Sequence, residues 1–505
     1  MKDSQHTHNH DPVELSRKSD RSLMWKILLA IIFFIFSSAI AFAGVLPVGQ
    51  HEYEFLYDRF EHIDASQVNT YDYQLGPYRF DNQDFILGPF EPYRAIEPNS
   101  LMLFSFLTED FRSIKRAPSV GYESFRGGAL GRPLKNVFVY GKFVLDEQRA
   151  EDPDYTGKKW RGLAGDVEEA FVNYSSDKFS LTVGRFGSFW GPRNSLVLSY
   201  SEPLDGFGYT FRWGKLVISY RLARLDGLNP DRDSVEQFEN RYFAGHRFDF
   251  HFSPRIRVGL FETVIYGGPG RQIELAYLNP LIFFHGSQLN DGADDNTMVG
   301  FDFSLKPISG VKLYGQLLID DYQVDNESAS DNEPAELGYI FGGYFANVVS
   351  SLDIKSEYTR VNNWTFNQVL ERNRYLIHDK PIGGALGNDY DLATLSLFRW
   401  LSETAALTAG IGYLRRGEGS VTADWTEPWL AASEDYSEKF PTGIVEKTAT
   451  LSVGYRGFIL NNFFLNLNTG VKRVVNYDHA TGDNRTLPYF NLVLSGFVSA
   501  PISLD

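Results

Sequence analysis

Between residues 297 and 360 the chain alternates polar and apolar positions with period two. In 310–321, Val311, Leu313, Leu317 and Ile319 share one parity, and Lys312, Tyr314, Gln316 and Asp320 share the other. In 349–360 the split is Leu352, Ile354 and Tyr358 against Asp353, Lys355 and Glu357. Successive side chains of a strand point to opposite faces, so each segment carries one apolar and one wet face. Each is close to the roughly 9–11 residues that a tilted strand needs to cross a bilayer. The links alternate as well: 307–309 is tight, 322–334 is long and acidic, and the connection around 348 is tight again. Period-two segments joined by alternating short and long links predict a transmembrane antiparallel β-barrel of the outer-membrane type.

Followed back from the C-terminus, such segments begin near residues 486, 461, 444, 403, 390, 349, 335, 310, 297, 255, 239, 215, 206, 178, 168 and 135, with two weaker ones over 101–112 and 119–126. Residues 195–200 also alternate, but counting them breaks the succession of short and long links, so 187–205 is assigned to a loop. The total is eighteen strands, an even number that leaves both termini in the periplasm, with sixteen as the alternative. The long links 147–167, 187–205, 225–238, 267–296, 322–334, 361–389, 417–443 and 474–485 then face the cell exterior. The wet parity holds Arg221, Arg247, Asp249, His251, Asp353, Lys355, Glu357, Asn466, Asn468 and Lys472, with Asp320 at the top of its strand. Interleaved signs on neighbouring strands predict a hydrated ladder of charge pairs along the lumen wall, favoured over a translocation filter. Glu262 breaks the pattern by sharing the parity of Ile256, Val258 and Leu260, which predicts either a β-bulge or a misplaced boundary.

Upstream of the barrel (101–505) the pattern changes. In 44–100, Tyr53, Leu56, Tyr57, Phe60 and Ile63 recur at helical spacing with Glu54, Asp58 and Glu61 opposite, which predicts a short amphipathic helix packed against the periplasmic end. Pro77, Pro89, Pro92 and Pro98 punctuate the rest. Residues 1–43 read as a signal peptide with a polar pre-region. Arg21 and Lys26 precede an apolar core at 27–36, and Ala41 and Ala43 supply an A-x-A site before Gly44; Met24 would make a more ordinary start.

Composition narrows the function. The chain has 505 residues and a net charge of −16, and the leader carries more basic than acidic groups, so the mature chain is more acidic still. That argues against nucleic acid as a partner. The 41 Phe, 28 Tyr and 8 Trp suit two aromatic girdles, and the absence of cysteine excludes disulfides, thiol catalysis and a lipid-modified cysteine anchor. Beyond residue 100 the histidines are His246, His251, His285, His378 and His479; none lies in a hydrolase motif and no G-x-S-x-G elbow occurs, so no enzyme and no cofactor are expected. Asp291, Asp294 and Asp295 and the acidic run 320–333 lack EF-hand spacing and read as solvated loops, so no metal is expected. His6, His8 and His10 read as a tail. The aromatic clusters are more suggestive. Asp424, Trp425, Glu427 and Trp429 share one long link, and Trp364 lies in another. Sugars stack their C–H faces on indoles while carboxylates take the hydroxyls, so these are candidate glycan contacts, set against plain loop packing.

Several stretches in order along the chain carry a family resemblance: L-P-V-G-Q-H-E-Y-E-F-L-Y-D-R-F at 46–60, L-G-P-Y-R at 75–79, G-R-F-G-S-F-W-G-P-R-N-S at 184–195 (with Arg185, Trp190 and Arg193), L-N-P-L at 278–281, D-D-N at 294–296 and L-Y-G-Q-L-L-I-D-D at 313–321. Together they resemble the capsule assembly Wzi-like proteins over almost the whole mature chain. The resemblance implies an eighteen-stranded outer-membrane barrel with a periplasmic-side helical part, which attaches or organises capsular polysaccharide as a lectin. Its expected partners are surface polysaccharide, outer-membrane lipid or lipopolysaccharide, and the barrel-assembly machinery. A porin or selective diffusion channel is the alternative. One departure is the C-terminus, which runs past Phe497 to a non-aromatic end.

Overall fold

A computed structural model describes residues 51–67, 75–76, 98–152, 155, 157–199, 202–228, 239–322, 332–432, 436–460 and 462–503. The leader, its proposed cleavage site and much of 68–97 lie outside the described residues.

Eighteen antiparallel strands close into one barrel. In chain order they are β1 Ser100–Ile114, β2 Val120–Leu134, β3 Val137–Asp146, β4 Leu163–Ser175, β5 Phe179–Phe186, β6 Leu204–Trp213, β7 Leu216–Arg224, β8 Glu239–Ser253 and β9 Ile256–Pro269. Then come β10 Asn296–Leu305, β11 Val311–Asp321, β12 Glu336–Val349, β13 Leu352–Val361, β14 Tyr390–Ser402, β15 Ala405–Arg416, β16 Glu446–Leu460, β17 Phe463–Val475 and β18 Arg485–Ser503. Each pairs with its sequence neighbours, and β18 returns to β1 through partners such as Leu101 with Ile502 and Phe106 with Phe497. Closure leaves no strand edge unpaired, the condition for a sheet in hydrocarbon. Among the described residues of 187–203 none joins a barrel strand; Phe189 and Trp190 pair with Gly76 and Leu75, and Trp190 also bridges to Leu198.

The strand expected from 168 begins five residues earlier, at Leu163. Lys142 pairs with Glu169 and Phe143 with Val167, so Glu168 is the extra residue of a bulge. The bulge turns two consecutive acidic side chains inward, where the Lys142 ammonium lies 3.4 Å from Glu168 and 3.1 Å from Glu169. Alternation breaks there, which hides the upstream half of β4 from a period-two reading.

Outward positions are apolar and exposed, among them Val183, Phe211, Leu260, Phe301, Phe341, Ile411 and Leu451. Over β8–β10 the inward wall is charged but dry, a correction there to the hydrated ladder, while Asn466, Asn468 and Lys472 stay partly exposed. The Arg247 guanidinium donates from Nε to Asp249 at 2.8 Å and from Nη2 to Asp302 at 2.9 Å, and Arg257 joins the same two carboxylates. Arg247, Asp249 and Asp302 have no exposed surface. The planar fork can satisfy two carboxylates at once, which an ammonium cannot. Gly259 makes room for it, since a Cβ there would lie 2.1 Å from Arg247 Nη2.

The predicted amphipathic helix exists as α1 (His51–Ser66), but it lies inside the barrel rather than against its end. Phe55, Tyr57 and Phe60 are buried among inward side chains of β1, β3, β4 and β14–β18, including Phe104, Tyr140, Phe171, Trp400, Phe458, Phe464 and Phe497. Burying each such ring contributes roughly 1.5–3 kcal/mol. The helix's acidic stripe meets basic groups of the wall and of one link: Glu54 and Asp58 pair with Arg193, Asp58 with Arg456, Glu61 with Lys355, and Asp64 with Lys306 and Lys312. At its last turn the Gly310 amide donates to Ala65 O at 2.8 Å. The lysines beside that carbonyl-bearing terminus also suit the helix dipole. The last strand runs on past Phe497, which faces the lumen and stacks on Phe106.

Glu262 is neither bulged nor misplaced, for β9 pairs in unbroken register with β10 from Ile256 to Ile265. It faces outward, beneath a flap that the link 270–295 lays against the outside of the barrel. The flap carries α2 (Leu275–Leu278) and α3 (Phe284–Asp291). Glu262 accepts hydrogen bonds from the amides of Phe284 and His285, each 2.8 Å, at the first turn of α3. Tyr277 and Phe284 of the flap pack on Tyr220, Leu222, Tyr242, Ala244, Val264 and Tyr266 of the wall.

Candidate functional site

At the end where the long links gather, three of them fold over and into the lumen. The link 187–203 descends to meet α1. Gly191 sits at φ +94, and a Cβ there would come 2.5 Å from Gln316 Nε2, so the turn admits Gln316 only because the side chain is absent. Gln316 then accepts from the Leu196 amide at 2.7 Å and donates to Trp190 O at 3.2 Å. Asn194 donates to Glu357 at 2.8 Å, and Glu357 also accepts from the Tyr314 hydroxyl at 2.7 Å. Trp190, Leu196, Val197 and Leu198 are buried against Phe366, Tyr375, Leu376 and Ile382 of the link 362–389. The lumen is thus filled from both ends by α1 and by 187–203, and their junction is Arg193 on Glu54 and Asp58. Arg193 is therefore an interior residue. Arg185 lies near the rim, bonded from Nη2 to Asp205 at 2.7 Å.

The link 362–389 is stitched to the wall by Arg241, which donates to the carbonyls of Arg372 (2.8 Å), Arg374 (2.7 Å) and Leu376 (3.1 Å). It is tied to 417–445 by Asp389, whose carboxylate accepts from the Gly419 amide at 2.9 Å and the Thr442 amide at 3.0 Å. Burial lifts the nearby Glu438 carboxyl above the usual carboxylate range, against the opposing hydrogen bond from Asn363. Within 362–389, Leu376–Ile377 and Lys380–Pro381 pair as a tiny hairpin whose turn residues, His378 and Asp379, both take positive φ (47 and 58). Glu202 reaches across from the first link to His378 and Lys380, each 2.8 Å away.

The three candidate tryptophans come together. Trp364 and Trp425 meet edge to face at 5.1 Å, Trp364 and Trp429 at 5.3 Å, and Trp425 and Trp429 at 5.9 Å, with Tyr436 against Trp429. For Trp364 and Trp429 this arrangement is the loop packing that was set against glycan contact. Trp429 is 2 % exposed and Trp364 9 %, so both rings are spent on each other. Trp425 is half-buried, and Asp424 and Glu427 beside it are exposed. Of the wall residues singled out from sequence, Arg221, Arg247, Asp249, Asp353, Lys355 and Glu357 all point inward and form no single site. Asp353 instead collects donors from His62, Tyr344, Trp400 and the Asn347 amide. Asp320 accepts from the Phe366 amide at 2.6 Å and so helps seat the link 362–389.

The family model for capsule assembly protein Wzi matches residues 147–488. The chain belongs to that family. Among solved structures, the outer membrane protein Wzi of Escherichia coli is similar over 91 % of this chain and 100 % of its own, with 14 % identity and a TM-score of 0.57. That Wzi is described as a carbohydrate-binding β-barrel involved in group 1 capsule assembly. More distant barrels are OprD of Pseudomonas aeruginosa (8 % identity, 80 % of this chain and 97 % of that one, TM-score 0.44) and a BenF-like porin of Pseudomonas fluorescens (10 %, 79 % and 99 %, 0.43). No curated protein matches by sequence. Family and fold make this Wzi-family chain an outer-membrane β-barrel of capsule assembly.

Proposed function

We propose that the protein binds and organises capsular or exopolysaccharide at the cell surface without catalysing its turnover. In this reading the long links are extracellular, both termini are periplasmic, and lipopolysaccharide surrounds the barrel once the assembly machinery has inserted it. One observation carries the choice between a surface and a conduit: the lumen is filled from both ends. An attachment barrel needs a rigid exterior face, whereas a porin needs an open path. Membership of the capsule assembly family and the carbohydrate binding described for the Wzi of Escherichia coli support the same reading.

The groups offered to a glycan are the half-buried Trp425 indole and the exposed carboxylates of Asp424 and Glu427, with Trp364 and Trp429 as the base that holds Trp425 in place. Stacking a nucleic-acid base on an aromatic ring is worth roughly 1–3 kcal/mol, and sugar stacking is weaker. A polymer that engages many barrels at once compensates by effective concentration. Trp425→Ala combined with Asp424→Asn and Glu427→Gln is expected to leave a correctly assembled barrel and to move polysaccharide from the cell surface into the medium. A folded triple variant that retains its surface glycan like the parent removes this site. A steady open conductance of the native protein in planar bilayers favours the channel instead.

A further inference from the structure

The flap 270–295 lies outside the barrel and meets the mouth at its end, where Arg372 donates to Asp294 at 2.8 Å. Its inner side covers the only charged residue that β9 places on its outward face. On that face of β9, Ile256, Val258 and Leu260 lead up to Glu262, followed by Val264 and Tyr266. Leu260 is 48 % exposed, while Glu262 is 4 % exposed and Val264 and Tyr266 are fully covered. A tilted strand crosses the hydrocarbon in roughly 9–11 residues, so a span that begins near Ile256 extends to about Tyr266. Glu262 therefore stands within that depth. A bare carboxylate there would face acyl chains at a heavy desolvation penalty. The flap relieves it, with two amides of α3 on the carboxylate, the His246 ring nitrogen 3.2 Å away, and the Phe284 ring 4.4 Å from the His246 ring as a roof.

What covers the flap's other side follows from its composition. Residues 275–289 contain no Asp, Glu, Lys or Arg in a chain that is 22 % charged. Leu275 is 83 % exposed, Leu281 76 %, Leu289 67 % and Phe283 59 %. These side chains continue the exposed apolar surface of the bare wall below, beginning with Leu260 and Phe301. The charged ends are turned away from it: Arg271 pairs with Glu274 and with the buried Asp295, which also accepts from the Tyr277 hydroxyl at 2.6 Å.

We propose that the flap is a lipid-contact element. Leu275, Leu281, Phe283 and Leu289 would lie among the acyl chains of the leaflet on the long-link side, so that the barrel meets lipid through helices rather than strands over β7–β9. Which leaflet this is rests on the orientation proposed above, and the test does not depend on it.

The chain has no cysteine, so single labels can be placed cleanly. Leu281→Cys and Leu289→Cys, with Phe301→Cys on the bare wall and Asp424→Cys at the mouth as references, carry a bimane fluorophore in phosphatidylcholine vesicles with plain or brominated acyl chains. Heat-shifted gel migration confirms that each variant is folded. The expected result is a loss of intensity on brominated lipid at 281 and 289 equal to that at 301, with 424 quenched by aqueous iodide alone. If 281 and 289 respond to iodide like 424, the flap stands in water and the proposal falls. It falls equally if both sites ignore both quenchers while 281 cross-links to 281 of a second copy, for then the apolar face is a subunit interface.

Discussion

Among the described residues, helix α1 stands in the lumen at the short-turn end, and at the long-link end three links hold one another. Helix α1 brings Glu54, Asp58, Glu61 and Asp64 to basic groups on the wall and the inner link, so its position is set by charges and rings on many strands at once. The mouth is set by contacts among the links: Trp364 on Trp425 and Trp429, Asp389 on 417–445, Glu202 on the small hairpin. The first closure is coupled to the barrel's own stability, because a helix that leaves strips partners from inward side chains on many strands. The second can loosen locally while the barrel stands. The difference also bears on function, since a surface that binds a polymer benefits from a mouth that evolves separately from its support.

The largest effect is expected at Asp64. Its carboxylate sits between the ammonium groups of Lys306 and Lys312, and all three side chains are buried. Removing one partner of a buried ion pair typically costs about 3–5 kcal/mol, because the remaining charge keeps its desolvation penalty. Asp64→Ala should lower the temperature at which the protein loses its folded gel migration, and planar bilayers should show openings that the parent lacks. An unchanged transition and a silent bilayer would mean that the helix is not the support described here.

Trp429→Ala probes the other closure. Emptying a buried tryptophan site costs about 3–5 kcal/mol where the surroundings cannot collapse. Here the loss should stay in the links. Limited proteolysis within 417–445 should accelerate, while the folded migration survives to nearly the parent temperature. If Trp429→Ala lowers the whole-barrel transition as far as Asp64→Ala does, the two closures form one cooperative unit and the contrast is lost.

How far each region could be foreseen follows the same division. Period two revealed the strands and their inward residues because a barrel imposes one rule on every strand. It failed at Glu168, where one bulged residue reverses the rule. The helix was visible from its 3.6-residue spacing, but spacing cannot say whether a helix lies inside a barrel or below it; only the acidic stripe matching Lys306, Lys312, Lys355 and Arg456 decides that. At the mouth the signal was ambiguous. Two tryptophans four residues apart read equally well as an open platform or a packed core, and the ring that closes the core, Trp364, comes from a different link. The flap left two traces in the sequence, the stray Glu262 and the charge-free run 275–289. Both become informative only once Glu262 is known to lie beneath that run.

The smallest effect is a pH dependence confined to the mouth. His378 and Asp379 both occupy the left-handed region, which costs a non-glycine residue roughly 1–2 kcal/mol, so the hairpin needs an external hold. Glu202 provides it. Burial alone would raise its carboxyl, but the hydrogen bonds from His378 and Lys380 outweigh that and bring it down to about 2. The hydrogen bond to Glu202 in turn holds the His378 imidazolium above its ordinary 6.5, with burial opposing. A raised histidine contributes stability that is complete below 6.5 and disappears as pH climbs through the folded value. A depressed carboxyl contributes stability that is complete above 4.5 and disappears as pH falls toward 2. The hairpin is therefore held best between pH 4.5 and 6.5. Because the His378 side chain is 61 % exposed, solvent screening keeps the gain small, and Lys380 retains part of the pairing at higher pH. Proteolysis within 362–389 should accelerate modestly from pH 6.5 upward, with the folded migration of the barrel unchanged. His378→Ala should abolish that dependence, and a variant that keeps the parent's pH profile would show that another group titrates at the mouth.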